Sequence, residues 1–436
     1  MSWLNAWFGF DRHRTSLGRE VVAGLTTFTT MSYIVVVNPA ILSTAGIPAG
    51  PSFVATVLVA AFGCYFMAFY ANRPFAIAPY MGENAFIAFT VCKLLGFRWQ
   101  TALAAIFIAG AVFVVMTILR LRQWVVEGVP TSLRYSFAVG IGLFLTFIGL
   151  NETGLVTLGV PGAPVQAGHL TSHPALVAMF GFVLITILVI RKIPGAILLG
   201  IVITAIVAFI VKIAPPPHGL ISIPPSIAPI VWQLDFRGAL TWRAFPVVLT
   251  IFIMAFVDTM GTLIGLSARA GFLDKNGQLP QIERPMLVDA ITTSLAPVLG
   301  TTTAGAYVES ATGIEAGGRT GFTVLVTGTC FLLALFFSPF VAAIPPQAYG
   351  PALIIVGLFM LAPIVRVDFA DYTESIPAFA VVSLMAFTFN IAIGICAGFV
   401  LYPICKLVAG RASHLKPGLW VLTALSLLFF IFYPYS

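Results

Sequence analysis

The chain has 436 residues, of which 59% are hydrophobic and 8% charged, with a formal net charge of +7 and a mean hydropathy of +1.03. An average soluble domain carries roughly 25% charged residues, so this composition excludes an ordinary soluble globule and describes an integral membrane protein. In such a chain the positive charge is explained by basic cytoplasmic loops rather than by a nucleic acid partner.

The opening MSWLNAWFGFDRHRTSLGRE sets Trp3, Trp7, Phe8 and Phe10 beside Arg12, Arg14 and Arg19, with no apolar run and small-residue cleavage site of a signal peptide. It reads as a short amphipathic helix on the cytoplasmic membrane surface. Apolar stretches of about 16 to 22 residues then recur, each near the length an α-helix needs to cross the hydrocarbon. Outer-membrane barrel strands would instead show as weak ten-residue alternations. Hydropathy places spans near 21–43, 52–70, 75–95, 100–120, 131–150, 174–191 and 194–213. A Pro-rich external stretch, 214–242, follows. A second series runs near 243–267, 285–300, 303–317, 319–340, 350–365, 374–389 and 391–409, and a last apolar piece, LWVLTALSLLFFIFYPY, is open between a further span and an interfacial helix.

With the N-terminus in the cytoplasm, about seventeen Lys and Arg fall inside, among them Arg73, Arg120, Arg122, Arg191, Lys192, Arg269, Lys275, Arg284, Arg366, Lys406 and Arg411. About five (Lys93, Arg98, Lys212, Arg237 and Arg243) fall outside. Seven spans are odd, so the second series starts on the opposite side from the first and any internal similarity is that of an inverted repeat. Three matches fall in corresponding spans: TTMS at 29–32 with DTMG at 258–261, AIAPYMGEN with TTTAGAYVES, and IPGAILLGIV with IAIGICAGFV. Inverted repeats of this kind point to transport by alternating access.

A carboxylate at mid-bilayer costs at least about 2.5 to 3.5 kcal/mol, so an embedded one faces protein or water and marks function. The third span of each half is irregular. In RPFAIAPYMGENAF, Pro74 and Pro79 forbid a continuous helix, and a short extended piece followed by a half-helix near Glu83 fits better. In GTTTAGAYVESATG the half-helix begins near Glu309. Irregular backbone at that depth is tolerated only around a cavity or inside protein, and two half-helix starts from opposite sides would present N–H groups and positive dipole ends to a polar ligand. Glu309 is then a binding carboxylate or a cap; Glu83 is open between the same two readings, and Asn84 is a neutral hydrogen-bonding group of the site. Asp258, in FIMAFVDTMGTLIG, has no cation near in sequence; desolvation there favours its protonated form, so it is a candidate proton carrier. Asp289 reads as structural, near a membrane end. Glu315 and Arg319, one helical turn apart, read as a structural pair at the cytoplasmic end of the half-helix. The five cysteines sit at no metal spacing and read as packing residues, and all five histidines lie near segment ends or in loops. No embedded nucleophile with a base, and no metal cluster, points to an intramembrane enzyme, and a scaffold has no reason to bear the cost of polar half-helix starts.

DTMGT at 258–262, the loop SARAGFLDKNGQLP, YVESATGIEAGGRTG, DFADYTESIPAF and MGENA at 81–85 together resemble, in order and spacing, the azaguanine-like purine permeases, a branch of the nucleobase-cation symporter and nucleobase–ascorbate transporter family. The resemblance covers nearly the whole chain. It implies an all-α membrane fold of fourteen spans in two inverted seven-span repeats, with short strands and half-helices in spans three and ten. A core domain (21–130 and 243–340) and a gate (131–213 and 341–410) would follow the segment 1–20 and flank the loop 214–242, with 411–436 as an apolar tail. It also implies a substrate site facing carboxylates from spans eight and ten, which here are Asp258 and Glu309, lined by Asn84, Ala85, Thr262 and Val308. Two departures stand out: Glu309 is followed by Ser310 with Gly313 one place late, and Ala255 occupies a position where many members have a second acidic residue. The function implied is import of hypoxanthine, guanine or adenine into a bacterial cell across its inner membrane, by elevator-like proton symport without a cofactor or metal. Asp258 and Glu309 are the coupling candidates, with Glu83 and Asp289 as further candidates. Sodium in place of the proton, the preferred purine and a homodimeric state are open. The rival is a sulfate or bicarbonate carrier of the same architecture, whose anion two carboxylates would repel.

Overall fold

A computed structural model describes residues 2–119, 128–160, 163–274 and 279–433. Arg120, Arg122 and Lys275, the side chains of Trp3 and His414, and the chain beyond 433 lie outside the described residues. The helices are α1 (Ser2–Phe8), α2 (Leu17–Met31), α3 (Ile34–Ser43), α4 (Ala49–Phe66), α5 (Met81–Ala85), α6 (Trp99–Ile118), α7 (Thr131–Glu152), α8 (His173–Ile190), α9 (Ala196–Ile210), α10 (Phe236–Ala239), α11 (Phe245–Ala270) and α12 (Glu283–Leu295). There follow α13 (Ser310–Glu315), α14 (Gly321–Ala334), α15 (Ser338–Ala343), α16 (Pro346–Leu361), α17 (Tyr372–Phe387), α18 (Ile391–Val408) and α19 (Pro417–Phe432). Four short strands complete the chain: β1 (Ile77–Pro79), β2 (Val156–Val160), β3 (Ala163–Ala167) and β4 (Ala304–Ala306). Among the described residues nine helical segments are long and apolar enough to cross a membrane, and α9, α17 and α19 are shorter apolar helices.

The chain divides into two compact units, one made of residues 1–122 and 220–338, the other of 123–219 and 339–436. In the first, α2 and α4 pack on α14, and α6 packs on α11 and α12. Close approach is made possible by small residues: a Cβ on Gly24 of α2 would run into the Thr323 carbonyl and Val326 of α14, and one on Gly313 of α13 into Thr27 of α2. The second unit is built from α7 against α16 and α17, α17 against α18, and α8 against α9 and α16. Here Lys406 is almost fully buried and meets Glu374 Oε1 at 2.6 Å and Thr373 Oγ1 at 2.6 Å, while Glu374 also accepts from Tyr402 and Ser132. At the entry of α17, Asp371 takes hydrogen bonds from the Thr373 hydroxyl and N–H and faces Arg411, and its carboxyl is held at about 2.

Two features of the N-terminal region were not legible in the sequence. The helix of the opening segment ends at Phe8; Phe8 and Phe10 are buried against Phe322 and, for Phe8, Phe69, while Trp7 is 52% exposed. Glu20, absent from the embedded carboxylates singled out above, is 0% exposed. Its oxygens accept from the backbone N–H groups of Arg319, Thr320 and Thr323 and from the hydroxyls of Thr320 and Thr323. A carboxylate on α2 thereby satisfies the open N–H groups at the start of α14, where the helix dipole also favours negative charge. Glu20→Ala leaves these donors buried and unpaired, and we expect a loss of about 2 to 4 kcal/mol, read as a clear drop in the melting temperature of the detergent-purified protein; an unchanged melting curve would remove Glu20 from this role.

Candidate functional site

The first unit is organised around a two-stranded ribbon. β1 and β4 pair antiparallel, with Ile77 opposite Ala306, Ala78 opposite Gly305 and Pro79 opposite Ala304. Pro79 has no N–H to give; pairing continues past it through Tyr80 N–H to the Thr303 carbonyl, at 3.0 Å, and Tyr307 N–H to the Ala76 carbonyl at 2.9 Å. Two short strands cannot stand alone, and each edge of this ribbon is tied to a neighbouring helix. Cys64 Sγ on α4 accepts from Ile77 N–H, Thr293 Oγ1 on α12 donates to the Ala304 carbonyl at 2.7 Å, and Asp289 Oδ2 accepts from Ala306 N–H at 3.2 Å. Gly305 has no Cβ because the Tyr80 ring occupies that space. Because the strands run antiparallel, α5 and α13 start at opposite ends of the ribbon.

Glu309 stands at the N-cap position of α13 but makes no capping bond there. Its Oε1 accepts instead from Tyr33 Oη at 2.6 Å. Tyr33 lies in the break between α2 and α3, an interruption inside the predicted first span that sends the phenol toward the ribbon. Among the described residues no cation pairs with Glu309, and Oε1 is oriented by the Tyr33 hydroxyl. Ser310, beside it, is buried and accepts from Ala76 N–H at 2.9 Å, which locks the start of α13 to the ribbon.

On the other side, Asn84 of α5 is buried and donates to Asn38 of α3, whose own amide donates to Thr56 at 2.6 Å and Thr301 at 3.0 Å. This chain of amides and hydroxyls holds α3, α4, α5 and the approach to β4 together. Asn84 Oδ1, Thr302 Oγ1 and Thr303 Oγ1 are buried with no partner. Asp258 and Thr262, one turn apart on α11, are both half-buried; Asp258 makes no hydrogen bond among the described residues, while neighbouring Thr259 lies 3.4 Å from Tyr80 Oη. Ala85 is buried, and the Val308 side chain is 60% exposed. Tyr80 and Tyr307 have parallel rings 6.3 Å apart, and the Tyr307 hydroxyl donates to the Pro79 carbonyl.

Asp289, read as structural, is fully buried within α12 and accepts from Ala306 N–H of β4. One reading from sequence is overturned, that of Glu315 with Arg319. Glu315 and Arg319 do not pair. Helix α13 ends at Glu315, so the helical spacing that would join them is broken; Glu315 bonds Arg269 at 2.5 Å in an exposed ion pair, and the Arg319 guanidinium donates to the carbonyls of Ile314 and Gly318. Tyr33, Asn38 and the Tyr80–Tyr307 pair escaped the sequence reading. Asn38, alone and polar in VVVNPAIL, was the one detectable signal.

Among the described residues no group of three or more His, Cys, Asp or Glu could hold a metal ion. The fold is shared with solved structures. The transmembrane domain of the cyanobacterial bicarbonate transporter BicA superposes with a TM-score of 0.63 at 16% identity, covering 88% of this chain and 97% of that one. SLC26A9 does so with 0.66 at 9%, covering 90% and 66%; at such identities the likeness is one of fold. In sequence, the adenine permease AdeP of Escherichia coli is 39% identical over 98% of this chain and 96% of its own length, and the guanine/hypoxanthine permease PbuG of Bacillus subtilis 37% over 98% and 100%. The Permease family, Xan_ur_permease, matches residues 18–410. With a strand-paired centre, relatives matched end to end and the family pattern spanning nearly all of it, this chain belongs to the Permease family and is a multi-pass membrane transporter, not an enzyme.

Proposed function

We propose that the protein imports purine nucleobases, hypoxanthine, guanine or adenine, by proton symport, with Glu309 as the base-binding carboxylate and Asp258 as the proton carrier. The observation that carries this reading is that an oriented Glu309 without a cation and an Asp258 without a hydrogen bond, among the described residues, both stand in the unit that holds the strand ribbon. A purine is planar, neutral and edged with N–H donors and ring-nitrogen acceptors. A carboxylate accepting two ring N–H groups binds it in one orientation, and Tyr33 holds Glu309 ready for that. Asn84, Ala85, Thr262 and the backbone at Val308 complete the proposed pocket. Relatives named for adenine and for guanine and hypoxanthine support this substrate class.

In this scheme fourteen crossings form two inverted repeats, the N-terminus is cytoplasmic, the membrane is a bacterial inner membrane, and the ribbon-bearing unit is the core that moves in an elevator-like cycle against a gate. Asp258 is protonated from outside, binds together with the base, and releases its proton inside. The test is uptake of labelled hypoxanthine, adenine and guanine in a strain lacking its own purine carriers, at two external pH values, with sulfate as a competitor. Faster uptake at acid pH and competition by purines alone are expected. Competition by sulfate, or no purine uptake at either pH, sinks the proposal.

A further inference from the structure

The ribbon holds one carboxylate that the scheme above leaves without a task. Glu83, on α5, is 1% exposed, and neither of its oxygens has a hydrogen-bond partner. The Thr303 hydroxyl faces it without completing a bond; α5 packs on α11, and Asp258 of α11 is the charged side chain that acts on Glu83. The other titratable groups around the pair are Tyr80 and Tyr307, whose hydroxyls are engaged with Thr259 and the Pro79 carbonyl, and behind them Asp289 and Glu309. No Lys, Arg or His is among the groups acting on Glu83 or Asp258.

An ionised carboxylate with both oxygens desolvated and unpaired is very costly, and two facing each other in a poorly polarisable interior do not both stay ionised. The groups that act on Glu83 are the Asp258 carboxylate and the Thr303 hydroxyl, and the two Glu83 oxygens are themselves unpartnered acceptors. Such a constellation is completed by one added proton. The two differ in exposure, Asp258 being partly exposed and Glu83 1% exposed.

We propose that Glu83 and Asp258 form a carboxyl–carboxylate pair sharing one exchangeable proton, so that the coupling site is the pair, with Glu83 as the positioning residue that sets how tightly Asp258 holds its proton. This deepens the proton-symport reading and rests on it for the direction of transport. The proton-holding itself is a property of the protein without substrate. The pair interacts as a unit, and its titration belongs to both members.

The experiment is an infrared difference titration of the full chain in lipid, without purine, following the carbonyl stretch of protonated carboxyls in the wild type, Glu83→Gln and Asp258→Asn. Each substitution removes a like charge from the other member. A titrating carboxyl band is expected in the wild type, and its midpoint in either variant should move toward acid by at least about one pH unit, a tenfold change in proton affinity. The reciprocity of the shift makes either variant sufficient if the other fails to fold. The pH midpoint of hypoxanthine uptake should move in the same direction in Glu83→Gln. An unmoved band and an unmoved uptake midpoint in Glu83→Gln would make Glu83 a packing residue. A wild-type midpoint that shifts when sodium replaces choline would make the pair a sodium site, which also overturns the proposal. Loss of purine uptake with the shared band intact would instead fault the substrate reading alone.

Discussion

Glu309→Gln is expected to weaken hypoxanthine binding by about 10- to 100-fold, corresponding to the roughly 1.5 to 3 kcal/mol of a charge-assisted hydrogen bond. The substitution is close to isosteric, and the amide oxygen can still accept from Tyr33, whose hydroxyl stands 2.6 Å from Glu309 Oε1. The amide nitrogen then points at the ligand, and two N–H groups meet where an N–H and a carboxylate oxygen met before. Tyr33→Phe should cost less, since it removes orientation and leaves the charge. The check is scintillation proximity binding of labelled hypoxanthine to purified protein, with the melting temperature measured beside it. Affinity within threefold of wild type, in a protein that melts normally, would take Glu309 out of the binding site.

Asp258→Asn is expected to separate binding from accumulation. The amide cannot carry a proton through the cycle, so a pH gradient no longer drives uptake, while purine binding and exchange of labelled for unlabelled hypoxanthine across the membrane persist. In proteoliposomes with an imposed pH gradient, the overshoot of accumulated purine should disappear and counterflow should remain. Asp258 is only partly exposed and makes no protein hydrogen bond among the described residues, so no fixed donor ties its carboxylate down, which makes this the informative site. If the variant still concentrates hypoxanthine against its gradient and acidifies the lumen, the proton travels elsewhere.

Much of the architecture is local chemistry and was readable as such. Apolar runs of bilayer length mark the long helices, and the spans drawn near 131–150, 174–191 and 391–409 meet α7, α8 and α18 within a few residues. Pro74 and Pro79 with the Thr and Gly residues of 300–305 announced broken third spans, and the structure puts β1 and β4 there. The placing of Glu309 at a helix start is also local, because the Thr and Gly residues of 300–305 disfavour helix before it. Glu315 and Arg319 went wrong for an instructive reason: spacing by one turn brings two side chains together only while the helix continues, and α13 is six residues long.

What composition and periodicity determine about this protein is its solvent: long apolar helices in a membrane, interrupted twice where breakers and carboxylates coincide. Which groups those interruptions meet is a matter of contacts between residues hundreds of positions apart, such as Tyr33 with Glu309, Glu20 with Thr320 and Ile77 with Ala306. No local pattern encodes such a contact, because hydrogen-bonding partners for a buried polar group can come from any element that packs beside it. Glu83 shows the difference most clearly. Its sequence neighbours leave a cap and a binding group equally open, and only the approach of α11, bringing Asp258 to face it, turns it into half of a pair.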